Sequence, residues 1–489
     1  MPSRTLLLAG LVPLLAILYA QFSNTSMLSL LRGKNAGIIL PRSRTPLVMA
    51  AQPAWSHMEK MTTLAQGLIK LGYPIYLVSG PDFKDYIESL GATYVGIEGK
   101  GSGMLPPEKL AEFITLQGGE AEIFAFKHFF TDTIPAQHRT IQRTLSTIRA
   151  EHGENQPLIY INDFSFAACV PLFHGAKGIR PSIISIGVAP YPAASNDTFP
   201  FQTGKQPDTS PDAKRIHFEA QQKQYNSWPD SVWNSHLNKV MKEMGAKREP
   251  LSMFDSFSGS NDILLQYGVP EFEYKRDDWL ASFRFIGAPV AVGMVEKREF
   301  PEWWDEVVAA HKAGKKIVAV TSSSVVFEHD ALVIPALEAL KDRDDVMVIA
   351  TLVTSNVEQL DYKIPANARV AKFIPLDLAL PLISVLITNG GYGTIQQALR
   401  GGIPMVVNGV GQDKSHTGGI INHVGVGVYN AVYKVDSKTI RDSFDEVLNN
   451  NKYRETAQRI SKAYAKYDAV QILDDTIQQA VRGELPQRL

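Results

Sequence analysis

The sequence predicts an α/β protein built on parallel sheets in two or more domains. An apolar run at residues 47–51 precedes a loop, and residues 58–71 then carry apolar side chains at a helical period until Gly72. The apolar run at residues 75–78 completes a strand–helix–strand unit, and a second series of such units begins at Lys316. With 489 residues, the chain is long enough for two or more domains.

The composition is that of an ordinary globular protein and excludes several classes. Hydrophobic residues make up 45% of the chain and charged residues 20%. A net charge of −1 without a basic stripe argues against nucleic acid as a partner. The single cysteine, Cys169, lies in an apolar segment that is predicted to be helical, buried and inert. One cysteine excludes an intrachain disulfide and a cysteine-rich zinc site.

The N-terminal segment, residues 1–22, is predicted to be an apolar membrane anchor. Residues 5–20 are almost entirely apolar, which is short for a spanning helix, but no small-residue cleavage site of a signal peptide follows. Basic residues after the segment favour a single-pass anchor, expected in the endoplasmic reticulum, with the body of the chain in the cytosol. A signal peptide with a luminal body is the alternative, and the glycosylation sequons at Asn24 and Asn196 are usable only in that case.

A glycine-rich turn late in the chain predicts a phosphate site. The apolar run at residues 384–388 is followed by Asn389-Gly390-Gly391-Tyr392-Gly393, and a helix is predicted from Thr394 to Arg400. Glycine lets the backbone approach a phosphate, and the first N–H groups of a helix have no partner within the helix. A Walker loop is excluded because no lysine follows the turn, and the dinucleotide fingerprint is excluded because Gln396 stands where it needs glycine.

The surrounding stretch resembles the donor-sugar signature of the UDP-glycosyltransferases of the GT-B fold, family 1 type. The matching residues are Phe373-Ile374-Pro375, Asn389-Gly390-Gly391, Thr394, Gln397, Gly402-Ile403-Pro404 and Asp413-Lys414. Phe373, Asn389, Gln397 and Lys414 stand where the plant-type pattern has Trp, His, Glu and Gln. The Asn-Gly-Gly-Tyr-Gly and Asp-Lys runs resemble the fungal and bacterial branch of that family. An ordinary strand-to-helix turn of an α/β domain is the alternative.

The resemblance implies a role for each donor-site residue. Phe373, next to Ile374, can stack on uracil, and Asn389 and Thr394 can donate hydrogen bonds to the diphosphate. Backbone N–H groups of Gly391 and Gly393 are available to the same oxygens.

Four further residues complete the implied donor site. Gln397 can bond ribose hydroxyls without the charge assistance that Glu gives. Asp413 is expected to accept bonds from sugar hydroxyls, and Lys414 to lie beside the sugar or the diphosphate. Ser323 and Ser324 follow a predicted strand and could reach the phosphates, or only cap the next helix.

His57 and Asp163 are the candidate catalytic residues. The family carries its catalytic His before a helix, and here Ser56-His57 precedes the helix predicted at residues 58–71. Histidine suits the removal of a hydroxyl proton near neutral pH, and a carboxylate behind it fixes its tautomer. Asp163 follows the apolar run at residues 158–161 in the position of the family's Asp. A surface or capping role for His57 and a helix cap for Asp163 are the alternatives.

Aromatic residues of the first half are candidates for an acceptor pocket. Trp55 lies beside His57, and Phe124, Phe126 and Phe130 lie at helical spacing, which makes core packing the default interpretation. The pocket is what the resemblance implies for this region. Residues 195–235, with Trp228 and Trp233, are predicted to be a flexible flank of that pocket.

The resemblance implies two facing Rossmann-like domains in addition to the apolar N-terminal helix. The expected parts after residues 1–22 are a stalk at 23–45, an acceptor domain at 46–285, a nucleotide-sugar domain at 286–460 and a helix at 461–489 that crosses back to the first domain. No cofactor or metal is expected, since the UDP-sugar is a co-substrate. Asp342-Arg343-Asp344 matches the metal-binding D-x-D of another glycosyltransferase fold, but its position predicts a solvated turn.

The implied reaction is an inverting transfer of a hexose to a hydroxyl, with UDP-glucose as the expected donor. The apolar anchor and the aromatic segment favour a lipophilic acceptor such as a terpenoid, sterol, polyketide or other secondary metabolite. A UDP-sugar epimerase and a non-catalytic relative that binds nucleotide sugars are the alternatives.

Overall fold

The computed structural model describes residues 40–99, 105–116, 118–250, 252–289, 299–322, 329–353 and 355–486. The predicted N-terminal helix and most of the predicted stalk lie outside these ranges, and so do Ser323 and Ser324. Over the ranges just given, no helix combines the length and the apolar character needed to cross a membrane.

The first sheet contains seven parallel strands, as the strand–helix pattern predicts. Its strands are β1 (Leu47–Ala50), β2 (Ile75–Ser79), β3 (Thr93–Gly96), β4 (Ile159–Asp163), β5 (Ser182–Gly187), β6 (Ile263–Gln266) and β7 (Phe283–Phe285). Their order across the sheet is β3-β2-β1-β4-β5-β6-β7. All four residues of β1 are buried, because a parallel strand at the centre of a sheet is covered on both faces.

Helices and turns of the first domain join and cover these strands. The helices are α1 (Trp55–Lys70), α2 (Lys84–Ser89), α3 (Pro107–Phe113), α4 (Gly118–Ala125), α5 (Ile134–His152), α6 (Val170–Phe173), α7 (Ala213–Tyr225), α8 (Asp230–Glu243) and α9 (Met253–Gly259). Cys169 is buried directly before α6 rather than within a helix. Trp233 is buried in the core, so the prediction of a flexible flank is wrong there, whereas Trp228 is exposed.

The second sheet has six strands, which are parallel like those of the first sheet. Its strands are β8 (Lys316–Thr321), β9 (Val346–Thr351), β10 (Ala368–Ala371), β11 (Ile383–Thr388), β12 (Met405–Asn408) and β13 (Gly427–Asn430). They are ordered β10-β9-β8-β11-β12-β13. The remaining helices are α10 (Trp304–Lys312), α11 (Val333–Leu340), α12 (Leu376–Ala379), α13 (Tyr392–Arg400), α14 (Lys414–Val424), α15 (Ser437–Asn449), α16 (Asn451–Tyr464) and α17 (Ala469–Val481).

The C-terminal helices pack on different domains. Ile460 of α16 belongs to the core of the second domain, whereas Ile477 of α17 belongs to the core of the first. Val470 lies so close to Gly67 of α1 that a Cβ on that glycine would be 2.5 Å from Val470 Cγ2. The helix that packs on the first domain is therefore α17 (Ala469–Val481), which lies within the range of 461–489 predicted to cross back.

Both sheets reverse their strand order at one point, between β1 and β4 in the first and between β8 and β11 in the second. Parallel strands end at one edge of a sheet, and ligands of open α/β sheets bind at that edge where the order reverses. A ligand site is therefore expected at the residues that follow these four strands.

Candidate active site

His57 and Asp163 meet at the reversal point of the first sheet. Asp163 is the last residue of β4, and His57 lies in the first turn of α1, which follows β1. Because β1 and β4 are neighbours in parallel register, His57 Nδ1 comes within 2.6 Å of Asp163 Oδ2. The helix begins at Trp55, so the expected loop is shorter than predicted and His57 is helical.

The Asp163 carboxylate is buried and held by several donors. Ser165 donates to Oδ1 from its backbone N–H at 2.9 Å and from its hydroxyl at 2.7 Å, and the Gln52 N–H donates to Oδ2 at 3.3 Å. Burial acts to raise the pKa of Asp163, but the His57 imidazole and the bonds from Ser165 outweigh it and lower that pKa.

An ionised Asp163 accepts from the Nδ1–H of His57, which leaves Nε2 to take a proton. The His57 side chain is 22% exposed, so a small molecule can reach it. Ser165 was not singled out by sequence reasoning, although the Asp-x-Ser spacing after a strand is the signal that could have found it.

The glycine turn lies at the reversal point of the second sheet. Gly390, which follows Asn389 after β11, has a φ of 90°, and a Cβ there would meet Val407 Cγ1 at 2.9 Å, so only glycine fits. Gly391 is the N-cap of α13, which begins at Tyr392, two residues earlier than predicted. The first N–H groups of α13 therefore point away from the helix body without intrahelical partners.

Two polar side chains at this edge are buried without a partner among the described residues. Asn389 is 7% exposed and Ser322 is 8% exposed, and neither Asn389 Nδ2 nor Ser322 Oγ has a hydrogen bond there. The register of β8 and β11 pairs Thr321 with Thr388, so the two residues that follow are neighbours. An unpaired buried donor is costly, and such groups usually mark a ligand or water position.

The other predicted donor residues are placed unevenly. Phe373 is 54% exposed and free to stack on a ring, whereas the Ile374 side chain is buried in the second core, which leaves its backbone as the part that can reach a ligand. Thr394 and Gln397 are half-buried on α13. Asp413 is half-buried at the N-cap of α14, and Lys414 is buried, with its Nζ donating to Gln412 Oε1 at 2.7 Å.

The candidate acceptor aromatics divide into two groups. Trp55 is 42% exposed at the start of α1, two residues before His57, with its ring 6.4 Å from that of Phe83. The segment from Phe124 to Phe130 packs inside the first domain, and these contacts favour its core role over the predicted pocket. The contacts are Phe124 with Phe113, Phe126 with Trp233 and Phe254, and Phe130 with Phe257.

The two reversal points face each other across the interface of the domains. Glu59, Lys60 and Thr63 of α1 and residues 393, 396, 397 and 400 of α13 line one cavity of about 50 Å³. Tyr392 enters the first domain, where its hydroxyl donates to Tyr267 O at 2.5 Å. The described residues hold no group of three His, Cys, Asp or Glu side chains that could bind a metal ion. In the D-x-D segment, Asp342 and Asp344 are exposed in a turn.

Comparison with known proteins shows which family the chain is similar to. Residues 336–471 match the family described as "Erythromycin biosynthesis protein CIII-like, C-terminal domain". The chain is 34% identical over 449 residues to UDP-glucosyltransferase avaP of Aspergillus versicolor, covering 88% of this chain and 96% of that protein. It is 31% identical over 449 residues to UDP-glycosyltransferase 2 of Phaeomoniella chlamydospora, covering 90% and 96% of the two chains.

A solved structure shares the fold. The calicheamicin glycosyltransferase CalG4 superposes with a TM-score of 0.63 at 14% identity, covering 91% of this chain and 100% of that one. At this identity the likeness concerns the fold, in which two parallel-sheet domains are joined as in the GT-B glycosyltransferases.

Proposed function

The chain belongs to the UDP-glycosyltransferase family, and from this premise we propose that it transfers glucose from UDP-glucose, with inversion, to a hydroxyl of a lipophilic small molecule. The observation that carries the proposal is the 2.6 Å contact between His57 and Asp163. It lies at the edge that faces the glycine turn of the second domain.

In the proposed mechanism, His57 is the general base. Its Nε2 takes the proton of the acceptor hydroxyl while the acceptor oxygen forms a bond to C1 of the sugar. The bond from C1 to the UDP oxygen breaks, and UDP leaves with the electron pair. Attack from the face opposite UDP gives a β-linked product from an α-linked donor. Asp163 keeps Nδ1 protonated and stabilises the imidazolium that forms.

The donor diphosphate is proposed to lie at the N-terminus of α13. Asn389 Nδ2 and Ser322 Oγ supply unpaired donors there, and the free N–H groups of the first helical turn supply more. Fixed donors of this kind stabilise the charge that develops on the leaving diphosphate. Phe373 is proposed to stack on the uracil ring, with Asp413 and Gln397 bonding the hydroxyls of the sugar and the ribose.

Glucose and a lipophilic acceptor are the finer parts of the proposal. Glucose is supported by the relative of Aspergillus versicolor, which is a UDP-glucosyltransferase by name. The exposed Trp55, two residues before His57 at the start of α1, supports an apolar acceptor, because an indole ring offers apolar contact area. We also propose, from the sequence alone, that residues 1–22 attach the chain to a membrane with its body in the cytosol.

The test is acceptor-dependent UDP release by the full-length chain. UDP-glucose is supplied with a panel of lipophilic alcohols and phenols, and the products are followed by mass and by the anomeric coupling constant. We expect one hexose on a lipophilic acceptor in β linkage, with turnover lost in His57→Ala and kept in His152→Ala, a histidine exposed at the end of α5. An α-linked product would disprove inversion. Isomerisation of the sugar without acceptor would favour an epimerase, and UDP-glucose binding without turnover a non-catalytic relative.

A further inference from the structure

Lys60 brings a positive charge from the first domain to the start of α13. It lies three residues after His57 on α1, and its Nζ donates to Ser56 O at 2.5 Å. A Cβ built on Gly393 would be 2.9 Å from Lys60 Nζ and 3.1 Å from its Cε. Gly393 is the second residue of α13, so the ammonium group rests directly on the first turn of the donor helix.

The start of α13 disfavours a positive charge beside it. The N-terminus of a helix carries about half a positive charge, and an ammonium group placed against it is repelled. Among the described residues, no carboxylate oxygen pairs with Lys60 within 4.0 Å. Burial lowers the pKa of Lys60, and the negative charges of Glu59, Asp163 and Asp413 act in the opposite direction. The ammonium group and the start of the helix lie side by side here, so an anion bound at this position would be attracted by both.

The carboxyl ends of the neighbouring strands β8 and β11 offer neutral donors that also lack partners. Asn389 Nδ2 and Ser322 Oγ are unpaired in the described part of the chain although both residues are more than nine-tenths buried. They belong to the second domain, so they are independent of Lys60. Together the two domains provide an ammonium group, two side-chain donors and a helix N-terminus, which is the donor set of a phosphate site.

We propose that Lys60 is a ligand of the donor diphosphate, supplied by the first domain to a nucleotide held by the second. This inference rests on the proposed function, because it concerns the same donor site. The glycine turn has no lysine of its own after it, and Lys60 supplies that charge from the other side of the cleft. The ammonium group stabilises the negative charge that UDP acquires as the bond to C1 breaks.

The test compares UDP with uridine as probes of the full-length chain. Lys60→Met removes the charge and keeps the length of the side chain, and we expect UDP to bind about 10- to 100-fold more weakly. Binding of uridine, which has no phosphate, is expected to stay unchanged. Lys60→Arg is expected to restore most of the affinity for UDP. Lys70→Met is the matched control, since Lys70 is exposed at the far end of the same helix.

The outcomes separate this inference from the proposed function. If the wild-type chain does not bind UDP, both the proposed function and the inference about Lys60 are overturned. If the wild type binds UDP and Lys60→Met binds it as tightly, only the inference is overturned. An equal loss for UDP and uridine overturns it too, because a packing defect does not distinguish the phosphates. Thermal unfolding of each variant checks that the fold is intact.

Discussion

Asp163 Oδ2 and His57 Nδ1 lie 2.6 Å apart although 106 positions separate the two residues in the chain. The parallel pairing of β1 and β4 brings them together at one edge of the first sheet. The carboxylate keeps a charge that its burial disfavours, because His57 and Ser165 compensate it.

Asp163→Asn is expected to lower kcat by about 100- to 10,000-fold, because an amide can hold the imidazole in the wrong tautomer. The KM for the donor should stay within a few-fold, since Asp163 is proposed to act through His57 and not on UDP. Steady-state kinetics with UDP-glucose would show this division. Asp342→Asn, in an exposed turn, is the control. Normal turnover of Asp163→Asn would remove the pair from the mechanism.

Asn389→Ala is expected to weaken UDP binding about 10-fold without loss of stability. The amide nitrogen is buried without a partner in the described chain, so its removal relieves an unpaired donor. Asn162→Ala is the matched control, because Asn162 is also buried but donates to Asp163 O at 2.9 Å and accepts from Ser185 Oγ at 2.9 Å. That variant should lose about 1–3 kcal/mol in a denaturant titration. A comparable loss in Asn389→Ala would contradict the assignment of a ligand-facing amide.

Arg42 should stabilise the attachment of α17 to the first domain. Its Nε and Nη2 donate to the buried Asp474 carboxylate at 3.0 and 2.7 Å, and Tyr73 donates to the same group at 2.6 Å. Arg42→Met is expected to reduce the free energy of unfolding by about 1–3 kcal/mol, measured by chemical denaturation. Arg44→Met is the control, and equal stability of the two variants would show that the ion pair contributes nothing. A truncation should therefore keep residue 42.

Asp230 should make stability depend on pH. Burial, opposed by the bond from Gln224 and assisted by Glu122, raises the pKa of Asp230 to about 6, whereas an unfolded Asp titrates near about 3.9. Between these values the folded chain holds a proton that the unfolded chain has lost, so stability falls as pH rises through this window and stays reduced above it. Asp230→Asn cannot lose that proton, and its stability relative to wild type should increase from pH 4 to pH 7.

The control for the Asp230 experiment is Asp344→Asn, because Asp344 is exposed. Its stability relative to wild type should not change between the two pH values. Denaturant titrations at pH 4 and pH 7 measure the effect. A constant difference between Asp230→Asn and wild type would show that the carboxyl titrates normally in the folded chain.

The local elements could be read from the sequence because each is determined by residues close together in the chain. Apolar runs and helical periods predicted the parallel strands of both domains. Glycine at position 390 marked a turn that only glycine can make. The pairing of His57 with Asp163 was predicted only through resemblance to a family, and the two residues lie in contact.

Contacts between distant elements were decided by the tertiary structure alone. The side chain of Ile374 packs in the second core, and Phe126 packs against Trp233, and the linear sequence names neither partner. The sequence does not distinguish Lys60 from the other charged residues. Only the packing of α1 against α13 brings its ammonium group to Gly393. Hydrophobic periodicity indicates which face of a helix or strand is buried. The packing of the two domains determines which residues that face contacts.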